Sequence, residues 1–155
     1  MNYSKEDINK WKATHGDLFE ISVEGKSCVL HKPTRQDLSY ASVIKDPIKM
    51  SEVMLKQLWV AGDEEIKTDD ELFMAVVAKM DEVLKVKEAE IKKTLEEAGV
   101  DDFDNAQDII FIDTMLRYYL SIDPELLPDE KWASTLSALK EIRKIEKDSN
   151  NGQRT

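Results

Sequence analysis

Apolar residues recur along this chain at helical spacing in several separate runs, interrupted once by strict alternation. In the first segment Ile8 and Trp11 share a face. Ser4 stands where it can cap that helix, Asp7 sits where a capping box places an acid, and His15-Gly16 closes the run. The period then changes to two. Phe19, Ile21 and Val23 alternate with polar residues, Glu24-Gly25 supplies a tight turn, and Cys28 and Leu30 resume the alternation, which predicts a β-hairpin over residues 18–31. A lone hairpin is barely stable in water, so its apolar face must pack on something else.

From Pro33 onward the helical period returns. Thr34 with Asp37 starts a helix whose inward positions are Leu38 and Ala41, with Val43-Ile44 as further candidates, until Asp46-Pro47 interrupts it. The next helix runs from about Lys49 with Val53, Met54, Leu58 and Trp59 apolar, and Ala61-Gly62 ends it. An acidic loop, Asp63 to Lys67, follows. Thr68 with Glu71 then caps a long helix carrying Leu72, Phe73, Val76, Val77, Met80, Val83 and Leu84 at spacings of three and four. Beyond Leu84 the apolar positions thin to Val86, Ala89, Ile91, Leu95 and Ala98 among lysines and glutamates, and Gly99 stops the run. A polar linker from Asp101 to Asn105 leads to a helix dense in large apolar residues, Ile109 to Leu120, which Asp123-Pro124 breaks. Pro128 begins a final helix through Trp132, Leu136, Leu139, Ile142 and Ile145. The pattern predicts a mainly α protein: a helical bundle with a small N-terminal β-hairpin and a C-terminal helical extension. Residues 1–85 form the first module and 86–147 the extension, either folded back or projecting. Residues 148–155 carry no apolar side chain and are expected to form a disordered tail.

Composition narrows the chemistry. The 155 residues fit one domain, or one domain with a helical arm. No apolar run is long enough for a membrane span, and the first residues lack the apolar core of a secretory signal. Thirty-two acids against 22 bases give a net charge of -10, which argues against nucleic acid as partner, since phosphate binding needs a positive footprint. One cysteine, Cys28, removes internal disulfides and thiolate zinc sites and suits a reducing cytosol; in phase with Leu30, it reads as a small buried hydrophobe. His15 and His31 fall in different elements with no nucleophile motif beside them. The acidic runs at Asp63–Glu71 and Asp102–Asp108 lack the glycine and ligand register of a calcium loop; Asp69, Asp70 and Glu71 instead suit the positive end of a helix. Glycines are too isolated for a phosphate loop, and Lys85, Lys87, Lys92 and Lys93 alternate with glutamates as on a solvated helix. These features disfavour an enzyme and call for neither cofactor nor metal.

The unusual feature is aromatic and hydrophobic. Ile109, Ile110, Phe111 and Ile112 are contiguous and cover more than one face of their helix, with Met115, Tyr118 and Tyr119 further on. Such a helix is wrapped on several sides, by its own neighbours, by a helix of another protein, or by a second copy.

A strand pair ending in Leu30-His31-Lys32-Pro33-Thr34, then a helix begun through Asp37 and Leu38, resembles the tail assembly chaperones of long-tailed bacteriophages. Lys49 to Trp59 followed by Ala61-Gly62-Asp63-Glu64-Glu65 is similar to the version carried by phages and prophages of Bacteroides-type gut bacteria. The resemblance spans residues 16–85. It implies a non-enzymatic protein of the bacterial host's cytoplasm that binds the tape-measure protein, keeps that long helical chain soluble, helps tail-tube subunits assemble, and is absent from the finished virion. In that family the longer form often arises by ribosomal frameshifting, which leaves open what residues beyond 86 correspond to. On the resemblance, Pro33 and Thr34 set the path into the first body helix, Trp59 and Phe73 belong to the core, and Phe111, Met115, Tyr118, Tyr119 and Trp132 are the candidates for client or self contact. Two other classes remain: a structural virion protein such as a connector or tail-completion subunit, and an acidic regulator directed at a host protein.

Overall fold

The computed structural model describes residues 3–152, which fall into two compact units dividing at Lys87 and Glu88. Among the described residues are seven α-helices and one three-stranded antiparallel sheet in the order β1-β2-β3.

In the first unit, α1 (Lys5–His15) starts at Ser4, whose hydroxyl accepts from the Asp7 amide at 3.1 Å, and stops at Gly16, which takes a positive φ of 79°. None of its residues is buried. It is fastened at its ends instead: the Tyr3 ring meets Trp11 edge-on at 5.5 Å while its hydroxyl lies 3.1 Å from the Ser27 hydroxyl, and the rings of His15 and His31 stack with centroids 6.1 Å apart.

The hairpin forms as the alternation predicts. β1 (Leu18–Val23) and β2 (Lys26–His31) pair from Leu18 with His31 to Val23 with Lys26. The two turn residues, Glu24 and Gly25, both have positive φ, the geometry of a tight turn that matches strand twist. In β1 only Ile21 and Val23 are buried, whereas in β2 Ser27, Cys28, Val29 and Leu30 all are. A strand buried at successive positions is covered on both faces and behaves as a central strand.

The third strand corrects the expected end of the preceding helix. That helix, α3 (Pro47–Leu58), is capped by the Asp46 carboxylate on the Ile48 and Lys49 amides and stops at Leu58; Trp59–Gly62 then runs extended as β3 beside β2. Cys28 faces Gly62, Val29 faces Ala61 and Leu30 faces Trp59, with an irregularity between Val29 and Leu30. Gly62 is required: a Cβ on it would lie 2.6 Å from the Cys28 Cα, and its φ is 152°. Asp63 completes the edge, its amide donating to the Ser27 carbonyl and its carboxylate accepting from the Ser27 amide, each at 2.9 Å. The acidic loop that follows holds a short helix, α4 (Glu65–Thr68), around the fully buried Ile66.

Between the hairpin and α3, α2 (Arg35–Ser42) begins with a complete capping box. Thr34 accepts from the Asp37 amide at 3.2 Å and Asp37 accepts from the Thr34 amide at 2.8 Å. Asp37 also accepts from the Gln57 side-chain amide of α3, and Leu38 is buried. Val43 lies past the end of α2 and is exposed rather than inward. The long helix α5 (Asp70–Glu97) is capped by Asp69, not Thr68: the Asp69 carboxylate takes the Leu72 amide at 3.0 Å. The core gathers Ile21, Cys28 and Leu30 of the hairpin, Met54 and Leu58 of α3, and Val76 and Met80 of α5 around Ile66. Trp59 and Phe73 are half-buried against it. Burial and the neighbouring Glu20 and Asp63 carboxylates push the Cys28 thiol up to about 11.

The second unit has a core of its own. The last turns of α5 contribute Ile91 and Leu95. The helix closes in a Schellman motif: Gly99 at φ 89° donates to Glu96, Val100 donates to Leu95, and Val100 is buried as that motif's apolar contact requires. α6 (Gln107–Leu120) and α7 (Asp129–Gly152) follow, separated by a 3-10 turn at Pro124–Leu126. Ile109, Ile112 and Leu116 of α6 meet Trp132, Leu136 and Leu139 of α7 in burial. α7 continues to Gly152, so residues 148–152 are helical where a disordered tail was expected: no proline or glycine interrupts the helix before that point. Residues 153–155 of that expectation lie outside the described residues.

Gly62→Ala should destabilise the first unit by about 1–3 kcal/mol, from positive φ and the clash with the β2 backbone. Urea unfolding followed by tryptophan fluorescence checks this; an unchanged midpoint would mean that β2 and β3 are not held as close as described.

Candidate functional site

The described residues contain no group of three His, Cys, Asp or Glu placed to hold a metal ion, and no helix long and apolar enough to cross a membrane. His15 and His31 come together only as stacked rings, with His31 Nε2 3.0 Å from the Gln57 carbonyl oxygen and no nucleophile joined to the pair. Cys28 is inaccessible and its thiol is held in the protonated form.

Four of the five contact candidates lie on α6 and the fifth, Trp132, on α7, and they differ in exposure. The inward stripe of α6 is Ile109, Ile112, Asp113 and Leu116, a helical i, i+3, i+4, i+7 set. That stripe leaves Phe111 at 65% exposure and Tyr118 at 78%, with Tyr119 at 43% and Met115 half-buried. Trp132 is a correction. It is completely buried, and its indole N–H donates to the Asp113 carboxylate at 2.7 Å, so it belongs to the core rather than to a contact face. A buried indole needs an acceptor, and the buried Asp113 supplies it. Tyr118 and Tyr119 meet edge-to-face at 4.8 Å, and the Arg143 guanidinium of α7 lies 4.1 Å above the Tyr119 ring. The cation covers one face of the Tyr119 ring, while Tyr118 stays exposed.

At the other end of the same helix a cleft of about 160 Å³ opens between α6, α7 and the segment linking α5 to α6. Val100, Phe103, Ile112 and Leu136 form its buried floor. Phe111 and Met115 stand at its mouth, so two of the contact candidates share one cavity. Phe103 escaped the sequence reading because it sits within a run of aspartates; the signal was its being the sole large apolar side chain there. The polar groups at the cleft are engaged. Lys140 donates to both Asp102 carboxylate oxygens at 2.8 Å, and Asp108 accepts from the Asp104 amide at 2.7 Å and the Asn105 amide at 3.3 Å. The Lys140 hydrogen bond, reinforced by its charge, holds the Asp102 carboxyl below the usual carboxylate range. That pairing contributes stability at pH values above the ordinary carboxylate pKa and loses it as pH falls through the depressed value.

Comparison with known proteins gives no match to a family model, a curated protein or a solved structure. What α6 presents is exposed aromatic surface together with one wall of a cleft of mixed apolar and charged lining.

Tyr118→Ala should leave stability within about 0.5 kcal/mol, while Trp132→Ala should cost about 3–5 kcal/mol through loss of a fully buried ring and its hydrogen bond. Paired urea titrations separate the two; equal losses would mean Tyr118 is packed. Lys140→Met should return the Asp102 carboxyl towards its ordinary pKa, read from its carboxyl carbon by NMR titration. An unmoved titration would show that the ion pair is not formed in solution.

Proposed function

We propose that this chain is a non-enzymatic protein-binding module of the tail assembly chaperone kind, which covers apolar helical surface on a tape-measure protein and assists tail-tube assembly in the host cytoplasm. The observation that carries the reading is the outward aromatic set on α6, Phe111, Tyr118 and Tyr119, beside a core already filled by Trp132 and Leu116. These rings are surplus to packing. Large aromatic side chains lose little conformational entropy on binding and dominate contact energetics, so they suit a client-facing surface. A net charge of -10 keeps such a surface soluble and self-repelling until a client arrives. The Leu30-His31-Lys32-Pro33-Thr34 step, with its capping box, is where the chain resembles the chaperone family.

Affinity capture of the tagged chain from phage-infected cells, with purified virions assayed in parallel, tests the reading. Enrichment of one very long, helix-rich protein with the bait missing from virions is expected, and Phe111→Ala with Tyr118→Ala should lower its recovery. Bait present at stoichiometric level in virions would replace the chaperone reading with that of a structural tail or connector subunit. Capture of a host protein alone, lost at high salt, would favour an acidic regulator.

A further inference from the structure

We infer that the cleft at the Phe111 end of α6 is an anchor pocket for a single large apolar side chain, presented on an amphipathic helical segment that also carries lysine or arginine. The inference rests on the reading of the chain as a client-binding protein and adds what the client must display.

Size comes first. A cavity of about 160 Å³ is comparable to apolar cavities of roughly 150 Å³ that accept a benzene ring. It matches one leucine, methionine or phenylalanine side chain and excludes a whole helix. The side chains of Val100, Phe103, Ile112 and Leu136 at the floor are apolar and buried, while Asp102, Asp108 and Lys140 supply charged groups to the same lining. An inserted apolar group therefore meets the floor and its polar neighbours meet the rim. At the mouth, the exposed Phe111 ring and the half-buried Met115 add adaptable apolar surface for a neighbouring residue of the same segment. An amphipathic helix, which sets residues four apart on one face, can place one side chain in the cleft and offer its neighbour to Phe111.

Charge selects among such segments. The cleft is lined by two carboxylates, Asp102 and Asp108, against one ammonium, Lys140. Exposed Asp101 and Asp104 flank them on the same segment. Lys140 is already engaged by both Asp102 oxygens, so the rim presents an excess of negative charge. A basic segment is attracted to this rim and an acidic one is repelled. Because Asp108 is held in place by the Asp104 and Asn105 amides, the negative charge is preset before binding.

The test uses the full chain and three synthetic helical peptides of alanine-rich background. The first carries leucines at i and i+4 flanked by lysines, the second replaces the lysines with glutamates, and the third replaces both leucines with alanine. Methyl NMR is expected to show saturable shifts at Val100, Ile112, Met115 and Leu136 with the first peptide. Binding should be at least about tenfold weaker with the second and absent with the third. Equal binding of the lysine and glutamate peptides would overturn the charge selection, and shifts confined to Tyr118 and Tyr119 would overturn the pocket. Met115→Trp, which fills the mouth, should abolish the shifts with unchanged circular dichroism; if that variant does not fold, the leucine-to-alanine peptide still decides. A Met115→Trp chain that folds and still captures its long client as the wild type does would sink the anchor pocket and leave the chaperone reading standing. Specific methyl shifts with no client in infected cells would do the reverse.

Discussion

A buried strand cannot leave its backbone unpaired, and in this chain that requirement falls on β2. With Ser27, Cys28, Val29 and Leu30 all buried, their N–H and C=O groups have little access to water. One edge of the strand is satisfied by the hairpin partner β1; the other must be met from elsewhere in the chain, and four residues after α3 meet it. That demand explains why α3 stops at Leu58, why a glycine stands at position 62 opposite Cys28, and why Asp63 turns both its amide and its carboxylate onto Ser27. Once β3 is in place, Trp59 is carried to the sheet, where Lys67 from the short helix α4 lies 4.1 Å over its ring. The core around Ile66 follows from the same closure.

The second unit satisfies a buried polar group differently. Its central aromatic residue, Trp132, brings one donor into the interior, and Asp113 on the facing helix accepts it. Spending Asp113 on the inward side of α6 fixes the rotation of that helix. With Ile109, Ile112, Asp113 and Leu116 facing in, Phe111 and Tyr118 must face out. The exposed aromatic surface is therefore coupled to an interior hydrogen bond, and no separate device is needed to hold it outward.

Much of this was legible in the residues. The hairpin announced itself by alternation from Phe19 to Leu30 and by the Glu24-Gly25 turn; the Ser4 cap and the Thr34-Asp37 capping box marked two helix beginnings, and the Gly99 stop was plain. Asp46-Pro47, by contrast, taken as an interruption before a helix from about Lys49, is itself the start of α3. What failed has physical causes. Four residues are too few to show a period of two, and Leu58 and Trp59 continued the helical spacing of Met54, so β3 read as the end of a helix. Thr68 and Asp69 are both good caps, and only the fold chose between them. Trp132 was grouped with Tyr118 and Tyr119 because residue type carries no azimuth; knowing which side of α7 faces α6 needs the partner helix. The cleft was invisible for the same reason, since its floor draws on Val100, Ile112 and Leu136 from three separate segments.

The single thiol has a practical corollary. Cys28 is enclosed by the sheet, faces Gly62, and is protonated throughout the neutral range. Maleimide and disulfide reagents act on accessible thiolates, so the native chain is silent towards them without any cysteine having to be removed. A cysteine introduced at an exposed position of the second unit, such as that of Ser134 or Glu141, would be the sole site to take a fluorophore or spin label. When Cys28 does react, the reagent has found the first unit with its central strand uncovered. One chain thus carries both an unmarked background for site-selective spectroscopy and a built-in clock for the opening of its sheet.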